Sequence, residues 1–132
     1  MIHNNKEMIS ILNKLKSEFN IIGIKSSFED EGVYFNELIK LKELSTISNV
    51  DLNIKIGGCE AVSDINNCVA LNVNGIVAPM IESEFALSKF VNSVRDNLPG
   101  ILFKKFNFHV NLESRSAYEN IKSILSDKSN YK

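Results

Sequence analysis

Four short runs of strand-like residues, each followed by a segment with helical periodicity, constrain this chain more than any other feature. The runs cover residues 21–24, 51–58, 75–81 and 106–113. The segments after them carry apolar residues three and four apart: Leu38, Leu41 and Leu44; Val62, Ile65 and Val69; Leu87, Phe90, Val91 and Val94; Ala117, Ile121, Ile124 and Leu125. Spacing of that kind places one apolar stripe on each helix. Met8, Ile11, Leu12, Leu15 and Phe19 predict a further amphipathic helix over residues 5–19. Gly32 punctuates the first loop, Ser83 is the expected N-cap of the helix after the third strand, and Asn97, Pro99 and Gly100 break the chain before the fourth. Strands alternating with helices in this way predict a parallel α/β sheet.

The faces of the strands narrow the choice further. Leu52, Ile54 and Ile56 alternate with Asn53 and Lys55, while Phe106, Phe108, Val110 and Leu112 alternate with Asn107, His109, Asn111 and Glu113. A doubly wound sheet covered on both faces is read from strands apolar on both sides; here two strands keep a polar face. The junctions also repeat, with Glu82-Ser83-x-x-Ala86 matched 31 residues later by Glu113-Ser114-x-x-Ala117. A repeating unit with one polar face predicts about four parallel (β/α) units resembling half of a TIM barrel, preceded by an N-terminal helix. Residues 1–132 are expected to form one partial-barrel domain, with a polar tail over 126–132.

With 15 basic and 16 acidic residues, a net charge of −1 gives no electrostatic footprint for nucleic acid or an anionic membrane. No apolar run approaches the roughly 18 residues of a membrane span, and the start lacks the layout of a signal peptide, so a cytoplasmic location is expected. Cys59 and Cys68 form no CxxC pair and have no His pair nearby, and they read as reduced packing residues.

In a (β/α) barrel, chemistry gathers at the C-terminal ends of the strands. Lys55, Glu82, Asn111 and Glu113 fall there. Carboxylate, amide and cation converging on one mouth suit a hard divalent ion with oxygen ligands, Mg²⁺ or Mn²⁺, and a positive charge for a substrate carboxylate. Each residue also has a plainer reading. Glu82 and Glu113 precede helices, whose N-termini stabilise a carboxylate without any catalytic role. Lys55 can extend from the strand end into solvent. His109 suits a hydrogen-bonded interior position better than a general base. Gly57-Gly58 reads as a tight strand-to-helix turn or a place where substrate nears the backbone.

Lys55-Ile56-Gly57-Gly58-Cys59-Glu60-Ala61, Ile76-Val77-Ala78-Pro79-Met80-Ile81-Glu82-Ser83 and Val110-Asn111-Leu112-Glu113-Ser114 together resemble the HpcH/HpaI aldolase and citrate lyase beta-subunit family. The resemblance spans roughly residues 20–125. It implies a metal-dependent lyase that holds Mg²⁺ or Mn²⁺ with a Glu and an Asp and breaks or forms C–C bonds beside a 2-oxo acid or an acyl-CoA thioester. It carries the metal ligand onto Glu113 and a catalytic, orienting role onto Asn111, which replaces a Gln. The substrate-binding Arg of the family becomes Lys55, expected to serve both catalysis and substrate binding as a point charge in place of a bidentate clamp; Glu82 becomes a wall of the substrate site, and Gly57 is expected where substrate nears the backbone. The family's Asp would lie on a strand beyond Lys132.

A complete barrel needs about 250 residues. The expectation is therefore a homo-oligomer that closes the sheet, or a C-terminal half supplied from elsewhere. The competing reading is a non-catalytic barrel fragment that serves assembly or interaction. An open flavodoxin-like domain ranks last, because no Gly-rich phosphate loop follows the first strand.

Overall fold

A computed structural model describes residues 2–28, 32–98 and 100–126. The chain runs α1 (Ile2–Phe19), β1 (Gly23–Ser27), α2 (Phe35–Ile47), β2 (Asp51–Lys55), α3 (Val62–Leu71), β3 (Gly75–Ala78) and α4 (Glu84–Asn97). A short turn of helix α5 (Gly100–Phe103), then β4 (Asn107–Val110), α6 (Arg115–Glu119) and α7 (Ile121–Ile124) follow. All three strand pairings are parallel, and the strands lie in the order β1-β2-β3-β4. The result is an N-terminal helix followed by a four-stranded parallel sheet with alternating helices. Every crossover steps the same way, and crossovers of one hand then place their helices on one face. Strands follow one another around a (β/α) barrel in this same order, and four units are half of its eight.

The core confirms the one-sidedness. Leu52, Ile54, Ile56, Ile76 and Ala78 pack with Leu38, Ile65, Cys68, Leu87, Phe90, Val94 and Ile124 in a single cluster. The other face carries rows set by register: Lys25, Asn53, Gly75 and Asn107 lie side by side, and so do Ser27, Lys55, Val77 and His109. Val77 is buried there but stands outside the core cluster. On β4 Phe108 meets Phe90 edge-on at 6.2 Å and lies 4.9 Å from Phe103 and 6.4 Å from Phe106, so an aromatic group docks this edge strand onto α4 and α5.

Close approach explains one glycine. The Asn53 amide lies directly over Gly75, where a Cβ would collide with Asn53 Oδ1. That oxygen is buried and has no hydrogen-bond partner among the described residues.

Helix ends follow a rule the sequence reading missed. Asn20, Asn49 and Asn72 all adopt left-handed φ near 50° (54°, 50° and 50°), just past the ends of α1, α2 and α3. Asn is the side chain, after Gly, that enters this region most readily. Each Asn turns its chain toward the following strand.

Several expectations shift. The first strand is Gly23–Ser27 and not residues 21–24, and Ile22 is 85% exposed. Register with β2 decides this: Ser26 and Ser27 pair opposite Ile54 and Lys55 and are buried despite their polarity. Only Leu12 of the α1 stripe is buried, whereas Ile11 and Phe19 are exposed, because α1 packs beside α2 and not on the sheet. Lys16 Nζ fixes its end by donating to Asn49 O at 2.7 Å. On α3 the buried stripe is Ile65, Cys68 and Leu71, with Val62 exposed. The last helix is two short ones divided at Asn120, and Leu125 is exposed. Pro99 and residues 127–132 of the expected tail lie outside the described residues. No helix among the described residues is long and apolar enough to cross a membrane.

Candidate functional site

The C-terminal ends of β2, β3 and β4 carry the residues singled out from sequence. Lys55 is the last residue of β2 and half-buried. Gly57 follows two positions on, and its N–H donates to Asp64 Oδ2 at 2.8 Å, so a carboxylate in the first turn of α3 closes the β2–α3 loop. A Cβ on Gly58 would meet nothing within 4 Å, so no crowding demands a glycine there.

The β3–β4 ladder contains one residue too many. Asn107 N donates to Asn74 O and Asn111 N to Ala78 O, both at 2.9 Å, which is regular parallel pairing. The next bond of that pattern would run from Met80 N to Asn111 O. Ile81 N makes it instead, at 3.1 Å. Pro79 and Met80 thus oppose Asn111 together as a β-bulge, and Met80 takes a left-handed φ of 51°. The bulge resets the alternation: Ile81 is fully buried in the core while Met80 is 54% exposed.

The displaced Met80 N–H goes to Glu113. Its Oε1 accepts from Met80 N at 3.1 Å, and its Oε2 accepts from Asn111 Nδ2 at 3.2 Å. Asn111 and Glu113 are therefore brought together, at an exposed carboxylate three positions past the end of β4. Glu82, half-buried, sits at the corresponding end of β3, and its carbonyl accepts from Asn120 Nδ2 at 3.0 Å. Lys55 is level with Val77 and His109, so it faces the site from lower on the sheet. Two intervening strand spacings separate it laterally from β4, roughly 10 Å. His109 is exposed and not interior, and it lies on β4, an edge strand of the sheet.

Both serines of the repeated junction are N-caps. Ser83 Oγ accepts from Ala86 N and Ser114 Oγ from Ala117 N, each at 3.1 Å. The repeat is thus a capping motif with a glutamate placed just before it. Met80 and Asp64 escaped the sequence reading, though each left a signal. From Ala78 to Ser83 is one residue longer than from Val110 to Ser114, and that extra residue is the bulge. Asp64 carries the ordinary acidic preference of a first helical turn.

Neither cysteine belongs to the site. Both are free thiols, Cys59 half-buried and Cys68 fully buried. Burial first, and the Asp64 charge second, push the Cys68 thiol up from 9.0 to about 12, which leaves it protonated and unreactive. Among the described residues no three His, Cys, Asp or Glu side chains gather as metal ligands, at Glu113 or elsewhere. No protein-family model matches the chain, and no curated protein matches it.

Proposed function

We propose that this chain is part of a divalent-metal-dependent carbon–carbon lyase acting on a 2-oxo acid or an acyl-CoA thioester. The observation behind the reading is the Glu113–Asn111 pair at the mouth of a singly wound parallel sheet, bonded at 3.2 Å. A carboxylate offers about four lone-pair sites, and Met80 N and Asn111 Nδ2 occupy two of them. The remaining lone pairs suit Mg²⁺ or Mn²⁺, which keep several waters and need only one or two carboxylates. Bound there, such an ion supplies Lewis-acid stabilisation of the enolate charge that develops as the C–C bond breaks. Asn111 holds the carboxylate in place. Lys55 offers the charge for the substrate carboxylate, and the Gly57 turn and Glu82 wall the space between. A second carboxylate, and cover for the helix-free face, come from a second copy or from a further barrel segment.

A second reading has its own support. Both Glu113 oxygens are satisfied within the chain, as expected of a glutamate that serves only to fasten a bulge. On that reading the domain is a non-catalytic barrel fragment used for assembly.

Calorimetric titration with Mn²⁺ separates the two. The lyase reading expects one site that Glu113→Ala abolishes, together with Mn²⁺-dependent release of a 2-oxo acid from a hydroxylated 2-oxo-acid substrate. No site, or a site indifferent to Glu113→Ala, leaves the assembly reading.

A further inference from the structure

The sequence contains one Asn-Gly pair, Asn74-Gly75, and it stands at the start of β3, at the opposite end of the sheet from the strand-end residues. Asn followed by Gly deamidates more readily than Asn before any other residue, because no Cβ shields the glycine N–H or restricts its backbone. We infer that Asn74-Gly75 is a self-modification site that the fold keeps latent: it reacts when this end of the sheet opens, and its product no longer fits. The inference is independent of the proposed function.

The bonds of Asn74 carry it. Nδ2 donates to Asp51 Oδ1 at 2.9 Å, while Oδ1 accepts from Leu52 N at 3.0 Å and from Lys42 Nζ at 3.3 Å. The backbone is held on both sides as well: Asn74 N donates to Leu52 O at 2.8 Å, and Asn74 O accepts from Asn107 N at 2.9 Å. One residue thus ties α2, β2 and β4 to the start of β3. Both members of the pair are fixed by their surroundings. Gly75 has no room for a Cβ beneath the Asn53 amide, and the Asn74 side chain both donates and accepts, which a carboxylate cannot do.

In the reaction the Gly75 amide nitrogen bonds to Asn74 Cγ and loses its proton, and Nδ2 leaves as ammonia, which closes a succinimide ring. Water then adds to one ring carbonyl and opens the ring to aspartate or isoaspartate. Ring closure needs Cγ turned onto Gly75 N, whereas Asp51, Leu52 and Lys42 hold the side chain toward β2 and α2, so those three bonds must break first. In the product an oxygen replaces Nδ2 opposite the Asp51 carboxylate, two acceptors with no donor between them. Isoaspartate also lengthens the main chain by one carbon between the bonds to Leu52 and Asn107.

Incubation in mildly alkaline buffer tests the inference, with Asn74 followed by peptide mass spectrometry and isoaspartate by enzymatic methyl transfer. In urea Asn74 should deamidate at least about tenfold faster than in the native chain, since reaction through an opened state tracks the population of that state. Native Asp51→Ala, which releases Nδ2, should react several-fold faster than the native wild type, with the rate in urea unchanged. Should Asp51→Ala fail to fold, Lys42→Ala takes its place. Asn74→Asp, one of the two products, should unfold at a lower urea concentration than the wild type. Equal native and urea rates at Asn74, or no reaction in urea, overturn the latent site. A native rate unmoved by loss of the Asp51 or Lys42 bond removes the part given to those bonds, and an Asn74→Asp protein as stable as the wild type shows that the product still fits.

Discussion

Glu113 Oε1 accepts the Met80 N–H at 3.1 Å, and through this bond the end of β4 fastens the bulge that ends β3. The residue that the family resemblance offers as a metal ligand therefore has a structural task within the chain. The two roles are compatible, since a carboxylate that fixes a loop is also a carboxylate held still.

The structural task has a measurable size. Glu113→Ala leaves the Met80 amide and the Asn111 side chain to water, and should cost about 1 kcal/mol in urea unfolding, the usual worth of a hydrogen bond. Glu113→Gln keeps an oxygen for Met80 N but sets an NH₂ against Asn111 Nδ2, so its cost should fall between zero and that of Ala. A Gln variant as damaging as Ala would mean that the Met80 bond contributes nothing.

Gly75→Ala should destabilise the sheet by roughly 2 kcal/mol, because its Cβ must displace the buried Asn53 amide. In an Asn53→Ala background the same substitution should cost much less. A double-mutant cycle on thermal or urea unfolding measures the difference, and strict additivity would contradict the contact.

The two junction serines should behave alike. Ser83→Ala and Ser114→Ala each remove an N-cap bond of 3.1 Å and should each cost about 1 kcal/mol. Because α6 has only five residues, Ser114→Ala should show its loss locally, as faster amide exchange over Arg115–Glu119. Unchanged exchange there would count against the cap.

Thiol chemistry should separate the cysteines. Cys59 should react with an aromatic disulfide reagent in the native state, while Cys68 should react only after unfolding. The pH dependence has a definite sign. The folded Cys68 thiol, raised to about 12, binds its proton more tightly than the unfolded thiol near 9.0. Its contribution to stability is therefore complete below pH 9 and is lost as pH rises through the interval up to 12. A Cys68→Ala protein should show a shallower alkaline decline; identical slopes would reject the assignment.

Much of the fold was legible because alternation and helical period record burial directly. Leu52, Ile54 and Ile56, and on α4 Leu87, Phe90, Val91 and Val94, all reach the core as their spacing predicts. What escaped depends on neighbours. Ser26 and Ser27 lie in β1 because β2 offers them a ladder, and no hydrophobic signal marks them. Leu112 continues the alternation of β4 in sequence yet is 37% exposed, because the strand ends at Val110. The site divides in the same way. Spacing brought Glu113 and Asn111 to one strand end, but their partner Met80 entered only through a bulge, which shows itself when two ladders are compared bond by bond. Lys55 ends β2, and register sets it beside Val77 and level with His109.

The central claim, that the Glu113 carboxylate is a divalent-metal ligand at the strand ends, is tested most directly by Mn²⁺ in a two-dimensional ¹H–¹⁵N spectrum. Paramagnetic broadening at substoichiometric Mn²⁺ should centre on the Met80 amide, the Asn111 side-chain amide and the Glu113 amide, and should disappear in Glu113→Ala. Broadening centred elsewhere, or none at all, would contradict it.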